Sequence, residues 1–204
     1  MNKSEGNVLF PVFIKLHKVQ TLVVGGGNVG LEKVEALLKN DPDANITIVA
    51  PIIKGELKTL AKESDSIKLI NRKVRGRDLK SADILILATD NYGLHVRMKK
   101  KAEKLRLLTN VADTPDLCDF YLGSTVKKGD LKIGISTNGK SPTFAKRFRQ
   151  MLEEILPDNT QDLLDQLKTI RDRLKGDFNH KVQKLNEITS VLVEKGNENE
   201  SKPD

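Results

Sequence analysis

The chain has 204 residues, of which 38% are apolar and 31% are charged, so it is long enough for one or two globular domains with an adequate core. Its single cysteine excludes a disulfide framework and any metal site built from several cysteines. No apolar run approaches the roughly 20 residues of a membrane span, and the N-terminal sequence lacks the apolar segment of a signal peptide, so we expect a cytoplasmic protein without a membrane partner.

The net charge of +7 is divided unevenly along the chain. Residues 1–150 contain 27 basic and 16 acidic side chains, whereas residues 151–204 contain 8 and 12. A basic body predicts an anionic partner, such as a nucleotide, a nucleic acid or a polycarboxylate. The alternative is that the lysines only solvate the surface, and the lysine runs at 99–101 and 127–128 fit that interpretation. The aromatic content of 4% argues against single-stranded nucleic acid, which stacks on aromatic side chains.

The first half of the chain alternates between two patterns. Short apolar runs predict strands at 19–24, 46–50, 67–70, 84–88 and 107–111, and helical spacing predicts helices at 30–39, 54–63 and 92–104. The strand at 84–88 has no polar face, which is typical of a parallel sheet covered by helices on both sides. The sequence therefore predicts an α/β fold with an N-terminal Rossmann-type parallel sheet.

The pattern changes after the fifth strand. Two strands at 120–126 and 131–136 flank a glycine-containing turn, and helices are predicted at 143–155, 158–174 and 181–193. A hairpin is marginally stable alone, so we expect this part to pair with a second copy of the chain. The expected domains are a dinucleotide-binding domain at 1–113, a dimerisation region at 114–150, a helical domain at 151–194 and a disordered tail at 195–204.

A glycine-rich turn joins the first predicted strand to the first predicted helix. Its pattern is Gly25-x-Gly27-x-x-Gly30, in which the first glycine makes the turn, the second admits a pyrophosphate and the third packs the helix on the strand. A glycine turn in an α/β protein that binds no nucleotide is the alternative. The second strand is followed by Pro51 and Ile52 rather than by an acid or an arginine that would suit a 2′-phosphate. We therefore expect NAD rather than NADP.

Two further loops are expected at the same edge of the sheet. Thr89 and Asp90 follow the fourth strand, and Asp113 follows the fifth, so both loops should border the nicotinamide end of the crevice. A carboxylate at that position can act as a general base for the proton that leaves when a hydride is removed. Helix capping or turn formation is the alternative role for Asp90 and Asp113.

The remaining reactive side chains suggest no other chemistry. The three histidines, His17, His95 and His180, are far apart and lack metal-ligand spacing, so no metal site is predicted. His95 lies in the basic helix and is predicted to face solvent. Cys118 is predicted to be buried filler rather than a nucleophile. The sequence contains neither a G-x-S-x-G nor a P-loop motif, which excludes those two enzyme classes.

The loop at 136–142 is the candidate for substrate binding. Ser141 is predicted to cap the following helix, and Pro142 to occupy its first position. The backbone N–H groups, Lys140 and the helix N-terminus could hold substrate carboxylates. An ordinary loop with an N-cap is the alternative, although it leaves unexplained why residues 127–149 contain seven basic side chains and one acid.

Several motifs occur together in a recognisable order. LFPVF precedes VVGGGNVGLEK, IVAP and ILILATDN end the second and fourth strands, and NVADTPDLCDFYLGS precedes GISTNGKSPTFAKRFR. From about residue 9 to residue 156 the chain resembles the precorrin-2 dehydrogenase family, which also forms the dehydrogenase/ferrochelatase part of siroheme synthases.

The resemblance implies NAD-dependent oxidation of precorrin-2 to sirohydrochlorin by an interlocked homodimer. It assigns the active-site aspartate to Asp113. The cofactor contacts that it implies are Asn28, Val29, Pro51 and Ile52, and its serine-rich loop corresponds to Ser136 and Thr137. Some members also insert ferrous iron as a lyase reaction, so a bifunctional enzyme stays an alternative. A regulatory subunit that senses a dinucleotide without turnover is the second alternative, and a nucleic-acid partner is not expected.

Overall fold

The computed structural model describes residues 6–174 and 178–189, and the chain forms two compact units, one ending at Leu122 and one beginning at Gly123. The first unit contains a five-stranded parallel sheet in the order β3-β2-β1-β4-β5. The strands are β1 (Gln20–Val24), β2 (Asn45–Ala50), β3 (Ile67–Asn71), β4 (Ile84–Leu87) and β5 (Leu108–Val111). The helices of this unit are α1 (Asn28–Asn40), α2 (Gly55–Glu63) and α3 (Tyr92–Lys104). The predicted α/β class and Rossmann-type sheet are confirmed.

The sheet is apolar on both faces because helical elements cover both of them. Successive residues of β1 point to opposite sides, so Val23 packs with α1 and α2, while Leu22 and Val24 pack with α3. The same alternation divides Ile86 from Leu87 in β4. These side chains are at most 3% exposed, which explains why the strands show no polar face in the sequence.

A short 3-10 helix, Gly76–Ser81, replaces an α-helix in the connection from β3 to β4. Its position is held by the side chain of Asp78, which is 8% exposed and accepts two hydrogen bonds from the Arg72 guanidinium at 2.7 and 2.8 Å. The Asp78 carboxylate also accepts from the Arg75 N–H at 2.7 Å. These hydrogen bonds, with that from Arg72 the largest cause, hold the pKa of Asp78 below its ordinary value.

Helix α3 buries more polar side chains than its basic sequence suggests. His95, Met98, Lys99 and Ala102 form its buried stripe, at the i, i+3, i+4, i+7 spacing of one helix face. The prediction that His95 faces solvent is therefore wrong, because that face packs on the sheet and leaves His95 3% exposed. Lys99 is likewise buried, and its Nζ atom lies 2.6 Å from the Asp119 carboxylate.

Residues beyond β5 protect the edge of the sheet. Asp119 pairs with Thr109 twice: its N–H donates to the Thr109 carbonyl oxygen, and its side chain accepts from the Thr109 N–H at 2.9 Å. Phe120 and Leu122 pack against the apolar cluster of the first unit. The prediction that the hairpin strand starts at residue 120 is therefore wrong, and the first unit continues past residue 113.

The second unit contains a hairpin and three helices. The hairpin strands are β6 (Ser124–Lys128) and β7 (Leu131–Ile135), which pair antiparallel, and the helices are α4 (Pro142–Ile155), α5 (Thr160–Arg173) and α6 (Phe178–Thr189). The helix α4 packs on β6. The last four residues of the helix predicted at 181–193, and the predicted tail at 195–204, lie outside the described residues. No helix within residues 6–174 and 178–189 has the length and apolar character needed to cross a bilayer.

Candidate dinucleotide-binding site

The three glycines of the motif after β1 have different surroundings. Gly25 has φ +129°, and a Cβ there would meet the Ala88 carbonyl oxygen of the loop after β4. A Cβ on Gly30 would meet the Gly25 carbonyl oxygen, so this glycine allows α1 to approach the end of β1. Gly27 differs, because a Cβ there would have no neighbour within 4 Å. The first and third glycines are therefore needed by the fold, and the second is open toward a ligand.

The N-terminus of α1 points its free backbone donors toward this open position. Gly27 is the N-cap, its conformation is extended, and no side chain caps the helix. The first hydrogen bond of the helix runs from the Leu31 N–H to the Gly27 carbonyl oxygen at 3.0 Å, so the preceding N–H groups have no helical acceptor. Gly27 and Asn28 are exposed and Val29 is half-buried. Such a helix start carries partial positive charge and suits a pyrophosphate.

The loop after β2 lies against the same turn. Gly26 accepts a hydrogen bond from the Lys54 N–H at 3.0 Å, and a Cβ on Gly26 would meet the Ile52 carbonyl oxygen. Pro51 is exposed, and Ile52 is 82% exposed, although it is a large apolar side chain. The loop presents an apolar surface without a carboxylate, which fits an adenosine held by packing and backbone groups.

The loop after β4 completes the contact with the glycine turn. Thr89 is half-buried, and its Cγ2 atom lies 3.3 Å from the position of a Cβ on Gly25. Asp90 is exposed. Asn91 caps α3 by accepting a hydrogen bond from the Leu94 N–H at 2.8 Å. Three of the predicted cofactor segments, at 25–30, 51–52 and 89–90, thus meet at the carboxyl edge of β2, β1 and β4, where the strand order reverses.

Asp113 lies one strand farther along the same edge. It is exposed and has φ +55°, a left-handed conformation that costs a non-glycine residue energy but that aspartate tolerates. The turn begins at Ala112, whose N–H donates to the Leu87 carbonyl oxygen of β4 at 2.9 Å. It closes with a hydrogen bond from the Thr114 N–H to the Val111 carbonyl oxygen at 3.4 Å. The Asp113 carboxylate has no ion-pair partner among the described residues and is free to meet a ligand.

The Cys118 side chain hydrogen-bonds to the backbone on both sides of this turn, at Val111 and Thr114. Its Sγ atom accepts a hydrogen bond from the Val111 N–H at 3.2 Å and lies 3.3 Å from the Val111 carbonyl oxygen. Burial raises the pKa of the Cys118 thiol, so it is protonated at neutral pH and a poor nucleophile. The side chain therefore supports the loop that carries Asp113.

The candidate substrate loop belongs to the second unit. The Lys140 N–H donates to the Thr137 carbonyl oxygen at 3.0 Å across a turn in which Asn138 and Gly139 both have positive φ. Ser141 caps α4 by accepting from the Phe144 N–H at 3.1 Å, and Pro142 is the first residue of that helix. Ser136 and Lys140 are exposed, while Thr137 and Ser141 are half-buried.

No described group of three or more His, Cys, Asp or Glu side chains could hold a metal ion. His17 is instead bound to Asp41, with Nδ1 and a carboxylate oxygen 2.8 Å apart. His95 lies in the core of the first unit.

Family models match both units of the chain. Residues 12–124 match the model described as "Putative NAD(P)-binding", and residues 128–155 match the model described as "Sirohaem biosynthesis protein central". The first of these covers the parallel sheet with its three loops, and the second covers the end of the hairpin, the candidate substrate loop and α4.

Curated relatives and a solved structure agree with these matches. Siroheme synthases of Psychrobacter cryohalolentis and Nitrosospira multiformis are both 33% identical, over 94% and 85% of this chain. That of Pseudoalteromonas translucida is 35% identical over 83%. The chain spans only 38%, 37% and 35% of these relatives. A solved structure of SirC, a precorrin-2 dehydrogenase, has the same fold, with a TM-score of 0.69, 24% identity and coverage of 88% of this chain and 89% of that chain. The resemblance drawn from the sequence motifs is thereby confirmed, and the chain belongs to the family described as putative NAD(P)-binding.

Proposed function

We propose that this chain is an NAD-dependent dehydrogenase that oxidises precorrin-2 to sirohydrochlorin in siroheme biosynthesis. The observation that carries the proposal is the free Asp113 carboxylate at the same sheet edge as an open glycine turn. The relatives named siroheme synthase and the fold shared with a precorrin-2 dehydrogenase support the choice of substrate.

The residues of the three loops fit a dinucleotide. Gly27 leaves room for the pyrophosphate, and the N–H groups at the start of α1 donate to it. Ile52 supplies an exposed apolar surface for the adenosine half. We propose NAD rather than NADP because the end of β2 carries neither an arginine for a 2′-phosphate nor any other cation before Lys54.

The chemistry separates a hydride from a proton. NAD, when bound, supplies the acceptor for the hydride. Adjacent strands are about 4.8 Å apart and β4 separates β1 from β5, so we expect the turn that carries Asp113 roughly 10 Å from the glycine turn, toward the nicotinamide end of a dinucleotide. The Asp113 carboxylate accepts or orients the proton that leaves the substrate, so that the substrate loses one hydride to the cofactor and one proton to the protein or solvent.

The second unit is proposed to bind the carboxylates of the substrate. Ser136, Thr137, Lys140 and Ser141 form the turn before α4, and the seven basic residues between 127 and 149 surround it in sequence. A cationic surface raises the local concentration of a polyanionic substrate and orients it before binding.

We also propose that two copies of the chain associate through the region 114–150 and the rest of α4. This helix packs on β6 and buries Ala145, yet it also carries an apolar stripe that is between 36% and 66% exposed. The stripe is Phe144, Phe148, Met151 and Ile155, and its first two rings stack with centroids 5.8 Å apart. These residues are spaced by four, three and four positions, as in the apolar stripe through which two helices pack against each other. We therefore propose that α4 of a second copy of the chain covers this stripe. Replacing Phe148 with Glu should give a monomer by analytical ultracentrifugation, and an unchanged mass would contradict this interface.

Substitution of Asp113 tests the proposed chemistry. Asp113→Asn keeps a residue that tolerates positive φ and removes only the charge, so the fold should survive while anaerobic, NAD-dependent formation of sirohydrochlorin falls by about 10²-fold or more. Asp113→Gly should stabilise the turn and lose activity equally. Near-normal turnover in both variants would contradict the role of Asp113.

The same assay separates the alternatives. A regulatory subunit would bind NAD and leave the absorption spectrum of precorrin-2 unchanged. A bifunctional enzyme would, in addition, incorporate ferrous or cobaltous ions into sirohydrochlorin faster than an enzyme-free control.

A further inference from the structure

A buried histidine lies directly beneath the dinucleotide-binding edge and has no role in the function proposed above. His95 is 3% exposed, on the first turns of α3, and its Nε2 atom is 2.9 Å from the hydroxyl oxygen of Thr89. Burying a polar side chain costs free energy unless the side chain is hydrogen-bonded. The hydrogen bond with Thr89 therefore accounts for a histidine in the buried stripe of α3.

The hydrogen bond ties the loop after β4 to the helix that follows it. Thr89 also accepts from the Asn91 N–H at 3.4 Å, and Asn91 caps α3 through the Leu94 N–H. The threonine hydroxyl is therefore the point where the loop, the helix cap and the buried imidazole meet. On its other side the Thr89 methyl group faces Gly25, the first glycine of the dinucleotide turn.

The Thr89 hydroxyl carries one hydrogen and accepts through two lone pairs. Its acceptance from the Asn91 N–H leaves both its own hydrogen and a second lone pair available for the hydrogen bond with Nε2. Burial lowers the pKa of His95, although a hydrogen bond to the Thr89 backbone and the Asp90 carboxylate on the same loop act in the opposite direction. The neutral imidazole is thus the form present at pH 7.

We propose that His95 is a positioning residue for dinucleotide binding: its Nε2 atom fixes the Thr89 hydroxyl, and thereby holds the loop after β4 against the glycine turn. This inference rests on the proposal that the turn binds NAD. His95 itself touches neither cofactor nor substrate in this account, and acts only through Thr89.

Three substitutions of His95 distinguish a positioning role from a filling role. His95→Leu fills the space without a hydrogen bond and should raise the dissociation constant for NAD about three- to tenfold, as expected for one lost hydrogen bond. The glutamine amide introduced by His95→Gln can reach the position of Nε2 and should restore affinity, whereas the shorter amide of His95→Asn should not. Equal affinities of the Leu, Asn and Gln variants would overturn the proposal.

A double substitution tests whether the effect passes through Thr89. In a Thr89→Val background, which lacks the hydroxyl, His95→Leu should cause no further loss of NAD affinity. An additional loss as large as in the wild-type background would refute the route through Thr89. Met98→Ala is the matched control, since Met98 is buried on the same stripe of α3 and its truncation should lower the melting temperature while leaving NAD affinity unchanged.

Hydrogen exchange of the ligand-free protein supplies a readout that does not depend on NAD. The backbone amides of Asn91 and Leu94 should exchange faster in the Leu and Asn variants of His95, and at the wild-type rate in His95→Gln. Unchanged exchange in all three variants would refute the positioning role. A wild-type protein that does not bind NAD at all would instead refute the proposed function, while the exchange rates would still decide what His95 does.

Discussion

The second glycine of the turn can be changed so that stability and cofactor binding move in opposite directions. Gly27 is the N-cap of α1, has φ −88°, and has no heavy atom within 4 Å of where a side chain would begin. An aspartate fits this backbone and is among the preferred N-cap residues, because its carboxylate accepts from the first N–H groups of the helix. The same carboxylate would occupy the space proposed for the pyrophosphate.

The two effects can be estimated separately. Capping and the favourable interaction with the helix dipole should stabilise Gly27→Asp by about 0.3–1 kcal/mol. Repulsion between the new carboxylate and one phosphate charge about 4 Å away is about 1 kcal/mol in water and about 4 kcal/mol near a protein surface. NAD affinity should therefore fall by roughly fivefold to a thousandfold, to which the steric conflict adds.

Two measurements check this prediction. Thermal unfolding followed by circular dichroism should show a melting temperature for Gly27→Asp at or above that of the wild type, and calorimetric titration should show weakened or absent NAD binding. Gly27→Asn is the control, since it caps the helix without charge and should bind NAD better than the aspartate variant. Wild-type NAD affinity in Gly27→Asp, or loss of both folding and binding, would refute the assignment of Gly27 as the open position.

A substitution of the third glycine should lower stability rather than raise it, because Gly30→Ala forces a Cβ onto the Gly25 carbonyl oxygen. Urea unfolding should show a destabilisation of about 1–3 kcal/mol, and wild-type stability would contradict the close approach. Arg106 lies just after the C-cap of α3 with φ +58°, and the N–H groups of Arg106 and Leu107 donate to the Glu103 and Ala102 carbonyl oxygens. Arg106→Gly should therefore stabilise the protein by about 0.5–1 kcal/mol, and a lowered melting temperature would count against this cap. The hydrogen bonds from Arg72 lower the pKa of Asp78 in the folded protein relative to its value of about 4 in the unfolded chain. The stabilisation is therefore fully present above about pH 4 and is lost as the pH falls through the pKa of the folded state. Asp78→Asn should have a lower free energy of unfolding than the wild type at pH 7, and that free energy should fall less between about pH 5 and pH 2. Parallel plots of unfolding free energy against pH for the variant and the wild type would exclude this contribution.

The fold of the first unit was predictable because its signals are local and strong. Runs such as that in β4 are apolar on both faces, and helices cover both faces of the sheet. The glycine turn was predictable for the same reason, since its three positions have separate steric roles within six residues of chain. The helix α3 begins and ends at the predicted residues, Tyr92 and Lys104.

The interior of the site was less predictable because it depends on partners distant in sequence. His95 was predicted to be exposed because α3 is basic overall, although its spacing to Met98 and Ala102 would have placed it on the buried stripe. Burial of Lys99 depends on Asp119, twenty residues away, and no motif signals that pair. The left-handed conformation of Asp113 is also hidden in the sequence, because the usual signal for positive φ is glycine.

The proposed reaction is tested most directly by mixing the protein anaerobically with precorrin-2 and NAD and following NADH and sirohydrochlorin by absorbance. We expect both products to form together, with one NADH for each sirohydrochlorin, and no reaction without NAD. The Asp113→Asn variant should bind NAD but form almost no sirohydrochlorin. Sirohydrochlorin formation without NAD, or no spectral change in a wild-type protein that binds NAD, would contradict the account.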